Sequence, residues 1–166
     1  DNKKERWKRV FFIAFGQSKM FDKPLVAFLH LIVYLGFIII NIEIVEIIID
    51  GLFGTHRVLS FLGGFYDFLI GSFEVLAFLV LLSVIIFLIR RNIIRIRRFI
   101  HSEMKGWPTL DGNLILIFEI LLMLAFLTMN AADSILQMNN YEKYIQAGAF
   151  PISNFLIVPL LENLNL

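Results

Sequence analysis

The chain has 166 residues, of which 58% are hydrophobic, 14% aromatic and 17% charged, with 18 phenylalanines and no cysteine. Soluble domains run at about 45–50% apolar and about 25% charged, so an ordinary water-soluble globule is excluded, and without cysteine the chain holds neither disulfides nor thiolate-ligated zinc or iron–sulfur centres. The net charge of +1 hides an asymmetry: the basic residues crowd into segments 1–23 and 90–111, while the other two loops carry only Arg57 and Lys143.

At the N-terminus, "DNKKERWKRVFF" leads from a basic run into a Phe-rich stretch, unlike a signal peptide. Residues Arg6 to Met20 predict an interfacial helix, with Trp7, Phe11, Phe12 and Phe15 in the headgroup layer and Arg6, Lys8 and Arg9 in water. A first span is predicted over Pro24–Ile49, with Pro24 at a first helical position. The second covers Phe68–Ile89 and the third roughly Leu114–Ala132. Each is long enough to cross about 30 Å of hydrocarbon at about 1.5 Å per residue.

Between the first two spans, "DGLFGTHR" predicts a turn. Past the second span, "RRNIIRIRRFIH" sets isoleucines among arginines and suits headgroups or a partner. "KGWPTLDGN" breaks the helix through Gly106 and Pro108, with Asp111 or Asn113 as caps for the third span. "NAADSILQMNNYEKYIQAGAFP" predicts an outer loop with a short helix, and "FLIVPLL" over Phe155–Leu161 is too short to span. The predicted fold class is all-α, a helical transmembrane bundle of three full spans plus an N-terminal interfacial helix. Residues 1–166 form a single helical membrane domain that reads as a fragment of a longer protein. The positive-inside rule places segments 1–23 and 90–111 in the cytoplasm.

Ionisable groups within a span are costly and usually face protein, water or a cofactor. At about 100° per residue, His30, Tyr34, Phe37 and Asn41 share one stripe of the first span, and Glu43, Glu46 and Asp50 share the opposite one. His30 sits about 9 Å along the helix from Pro24. A neutral imidazole there suits an axial position on haem iron, and equally a hydrogen bond to a neighbouring helix. Glu43 and Glu46 suit a proton route or a quinone-side polar pocket, whereas Asp50 reaches the surface. Glu74 and Glu119 read as structural hydrogen-bonding groups. His56, in the turn, is a solvated histidine or a ligand to a second haem, and His101 is an interfacial residue. The basic clusters suit anionic lipid or a docked cytoplasmic domain, not nucleic acid, and no nucleotide loop, metalloprotease helix or nucleophile elbow is present.

"GQSKMFDKPLVAFLHLIVYLGFIIINIEIVEIIIDGLFGTHR" together with "EMKGWP" resembles the membrane region of bacterial (Fe–S)-binding oxidoreductases of the heterodisulfide reductase-like class. That region is in turn similar to the haem-b gamma subunit of respiratory nitrate reductase. The resemblance covers most of the chain from Arg6 to the third span. It implies a five-span protein of the bacterial inner membrane, with a further span on either side of those seen here and a Cys-rich cluster domain in the cytoplasm. It implies that His30 ligates haem b opposite a histidine of the last span, that His56 serves a second haem, and that electrons pass between a quinone and iron–sulfur clusters of the partner domain. A second ligand histidine of the nitrate reductase pattern is replaced here by Ile40 and Asn41. The competing expectation is a non-enzymatic helical subunit that scaffolds or anchors a larger membrane complex. A third is ion or proton transport along the Glu43/Glu46 face.

Overall fold

In the computed structural model, which describes residues 2–15, 24–94 and 106–162, the chain is helical, with no strand among those residues. A short helix α1 (Lys3–Val10) runs into one turn of wider helix at Phe11–Phe15, and the three long helices are α2 (Pro24–Phe53), α3 (Gly64–Asn92) and α4 (Trp107–Met138). A 3-10 turn at Val58–Leu62 joins α2 to α3, and two short helices, α5 (Pro151–Leu156) and α6 (Val158–Glu162), close the sequence. All three long helices have the length and apolarity to cross a bilayer, which makes the chain a multi-pass membrane protein.

The run "FIIINIEIVEIII" in α2 is dense in β-branched residues, which have modest helix propensity. It is helical because hydrocarbon offers no partner for backbone N–H and C=O groups, and a helix satisfies them within the segment. The helices run beyond the apolar windows. α4 starts at Trp107 behind Gly106, whose φ of 82° suits glycine, with Pro108 in the first turn. Asp111 and Asn113 therefore lie inside α4 and cap nothing. The stretch "NAADSILQM", expected in a loop, forms the last turns of α4, because Asn130, Asp133, Ser134 and Gln137 find partners there and are buried. Segment 95–105, with His101 and much of the arginine cluster, lies outside the described residues.

α3 is the central helix, packed against α2 on one side and α4 on the other. Ile32 and Ile40 of α2, Ala77, Val80 and Val84 of α3, and Phe126 of α4 meet in the main apolar cluster. Large side chains such as Phe28, Phe37, Phe68 and Phe118 remain at least 60% exposed on the outer faces, as lipid contact requires. The end at which α3 finishes and α4 begins, here the basic end, is tied by a reciprocal amide pair. Asn113 Nδ2 donates to Asn92 Oδ1 (2.9 Å) and Asn92 Nδ2 to Asn113 Oδ1 (3.3 Å). Arg91 Nη2 donates to the Thr109 carbonyl over Gly112, where a Cβ would overlap the guanidinium.

Gly36 lets α3 pack tightly against α2, since a Cβ there would overlap Val80 Cγ2. Gly36→Ile should push the helices apart at the main cluster and cost about 1–3 kcal/mol, as overpacking of a filled core does. Denaturant titration in detergent followed by circular dichroism measures this, and an unchanged midpoint would show that the two helices do not depend on that contact.

Candidate functional site

At the opposite end of the bundle, here the far end, Arg57 is 5% exposed and collects side chains from all three long helices. Its Nη1 donates to Glu43 Oε1 of α2 (2.9 Å), its Nε to Asp133 Oδ2 of α4 (2.9 Å) and its Nη2 to Asn130 Oδ1 (3.1 Å). Nη2 also pairs with Asp133 Oδ2 at 2.8 Å, and the guanidinium carbon lies 5.2 Å from the Phe150 ring centroid. Burial opposes the charge on Arg57, and the surrounding Tyr66, Glu43 and Asp133 outweigh that opposition, so its pKa stands above the ordinary arginine value.

The turn before α3 is shaped to deliver this side chain. Asp50 at the end of α2 accepts from Thr55 Oγ1 (2.6 Å), the Arg57 N–H (2.7 Å) and the Val58 N–H (3.2 Å). Arg57 itself adopts φ 54°, a left-handed conformation that non-glycine residues rarely take. Its side-chain bonds hold it there. Glu46 accepts the Leu59 N–H (2.9 Å) and Tyr66 Oη–H (2.8 Å), which ties the turn and the start of α3 back to α2. Asp50 is thus a half-buried organiser of the turn.

His56 is engaged through both ring nitrogens. The Ile145 N–H donates to Nδ1 (3.2 Å), which makes Nδ1 the acceptor and puts the proton on Nε2, donating to Asp133 Oδ1 at 2.8 Å. Tyr144 packs on its face at 4.7 Å between centroids. Neither nitrogen is left to bind a metal, so the residues here do not fit a haem ligated by His56. Beside this group, Ile47 of α2 and Met129 and Leu136 of α4 flank a crevice of about 230 Å³ that also reaches Glu46, Asp133 and Tyr144.

The other candidates separate cleanly. Glu43 and Glu46 are 1% and 2% exposed and belong to the Arg57 network, on the protein-facing side of α2. His30, with Tyr34 and Phe37, lies on the exposed side of the same helix. Its ring stacks on Phe87 of α3 at 4.4 Å, and it makes no hydrogen bond to a described residue. A ring held by stacking with free nitrogens fits one axial position on a haem. Asn41, part of the predicted stripe, is half-buried. Glu119 is half-buried on α4, well inside the helix.

Glu74 has a role that the sequence only hints at. It is fully buried on α3 and accepts the main-chain N–H groups of Ile152 (2.8 Å) and Ser153 (3.3 Å) with Oε2. Ser153 Oγ donates to the Leu127 carbonyl of α4 (2.8 Å), so α5 is seated on both helices. Arg57, Asn130 and Asp133 were not singled out from the sequence as site residues. The available signal was the one arginine in a loop otherwise free of basic residues, opposite three acids on α2. Compared with protein-family models, curated proteins and solved structures, the chain matches none.

Proposed function

We propose that the chain is the membrane electron-transfer module of an oxidoreductase, in which His30 is one axial ligand of a haem b on the open side of α2. The observation that carries this reading is the contrast between His30 and the other candidates. Glu46, Asp133 and His56 are engaged in holding the bundle together, whereas His30 lies on the exposed side of α2 with its ring stacked on Phe87 and its nitrogens without a hydrogen bond to a described residue. The bound haem would supply a one-electron centre between a membrane quinone and iron–sulfur clusters on a cytoplasmic domain or partner subunit. His30 would bind the iron as a neutral imidazole and Phe87 would orient the ring. A histidine from a further span would complete the ligand pair, as the resemblance to the heterodisulfide reductase-like class implies. We place the basic end in the cytoplasm of a bacterial inner membrane, in line with the positive-inside rule.

The test is a dithionite-reduced minus oxidised absorption spectrum of the detergent-purified full-length protein. A haem-b signal is expected in the wild type and in His56→Ala, and is expected to vanish in His30→Ala. A flat spectrum from well-folded full-length protein refutes the reading.

The Arg57 network favours a second reading, a non-enzymatic helical subunit that scaffolds a larger membrane complex, because its bonds tie the turn between α2 and α3 to both α2 and α4. This reading predicts no chromophore, and it predicts that His30→Ala alters assembly alone.

A further inference from the structure

We propose that Glu43, Glu74 and Asn130 form a proton site, in which the two carboxyl groups share a proton through bound water. This goes beyond the electron-transfer reading, which uses neither Glu74 nor Asn130, and it stands or falls separately from the haem. The three residues come from α2, α3 and α4, and none is more than 1% exposed. Each has one polar atom without a hydrogen-bond partner: Glu43 Oε2, Glu74 Oε1 and Asn130 Nδ2. They converge, because Glu43 Oε1 and Asn130 Oδ1 accept from the same guanidinium, and Ser153, whose N–H reaches Glu74 Oε2, also donates through Oγ to the Leu127 carbonyl, one turn before Asn130 on α4. Two acceptors and one donor are the complement of a buried water, which typically makes about three hydrogen bonds to otherwise unsatisfied groups.

The charge count points the same way. The groups facing this volume are Glu43 and Glu46 from α2, Arg57 and His56 from the turn, Tyr66 and Glu74 from α3 and Asp133 from α4. α5 brings only main-chain N–H groups. Of these four carboxyls, only Glu43 and Asp133 reach the guanidinium. Glu46 is answered by Tyr66 and Leu59, and Asp133 by Arg57 and His56. Glu43 has only a share of Arg57, and Glu74 has no cation in contact. Burying carboxylate charge without a counter-charge is strongly opposed. A shared proton makes good the deficit, and the neighbouring Glu46, Arg57 and Asp133 line the crevice at this end of the bundle.

The experiment is infrared spectroscopy of the full-length protein in lipid nanodiscs, in H2O and D2O, beside Glu43→Gln and Glu74→Gln. The expected result is a carboxylic-acid carbonyl band in the wild type that shifts in D2O and is lost in at least one of the two variants. The wild-type isotope comparison needs no variant, and Glu43→Gln leaves the anchor of α5 intact should Glu74→Gln misfold. A spectrum with no such band overturns the proposal, as does a band that survives both substitutions. A band that appears only when sodium is replaced by choline also overturns it, since the occupant would then be a metal cation.

Discussion

Arg57→Ala is expected to be among the most damaging substitutions in the chain, at about 3–5 kcal/mol, the usual cost of removing one partner from a buried ion pair. The loss is not that of a single contact. Glu43 and Asp133 would lose the one guanidinium that both contact, Asn130 Oδ1 would lose its donor, and the face of Phe150 would lose its cation. Arg57→Lys should recover only part of this. An ammonium on a flexible stem is a point charge, whereas the planar fork reaches Glu43, Asp133 and Asn130 at once. Chemical unfolding in detergent, followed by circular dichroism, measures both variants against the wild type. An Arg57→Ala protein within about 1 kcal/mol of wild type would mean that apolar packing alone holds the far end.

The membrane class, the three spans and the division of α2 into two faces were legible in the sequence, because lipid imposes helix on any long apolar run and periodicity then sorts its residues. The acids Glu43 and Glu46 indeed face protein, with His30 and Phe37 turned the other way. What the sequence did not reveal is non-local. Arg57 meets Asp133 and Asn130 from more than seventy positions away, as the separations of 76 and 73 residues record. Nothing in a local window distinguishes such a residue from a solvated loop arginine. The same holds for His56, whose turn sequence reads as exposed, yet whose ring nitrogens meet partners 77 and 89 residues away. The end of α4 was missed for a related reason. Its polar residues look like loop when read alone, and are stable in a helix only because α5, the 139–150 segment and Arg57 satisfy them.

Glu74→Leu is expected to release α5 and α6 from the bundle while leaving the three long helices in place. Glu74 follows Gly64 by ten residues, so its carboxyl lies about 15 Å along α3, at membrane depth. A carboxylate oxygen there receives two main-chain N–H groups of the first turn of α5, which no intrahelical carbonyl can satisfy. In hydrocarbon each unsatisfied N–H costs several kcal/mol, more than so short a helix returns through Ser153, Ile152 and Val158 packing. The segment should leave its seat before those groups stay unpaired. Glu74→Gln keeps an acceptor oxygen and should keep the segment bound, so the two variants separate the hydrogen-bonding role from the charge. Hydrogen–deuterium exchange across residues 150–162 reads the outcome: fast exchange is expected in Glu74→Leu and near wild-type protection in Glu74→Gln. Equal protection in both variants would show that apolar packing, not the carboxyl group, seats α5.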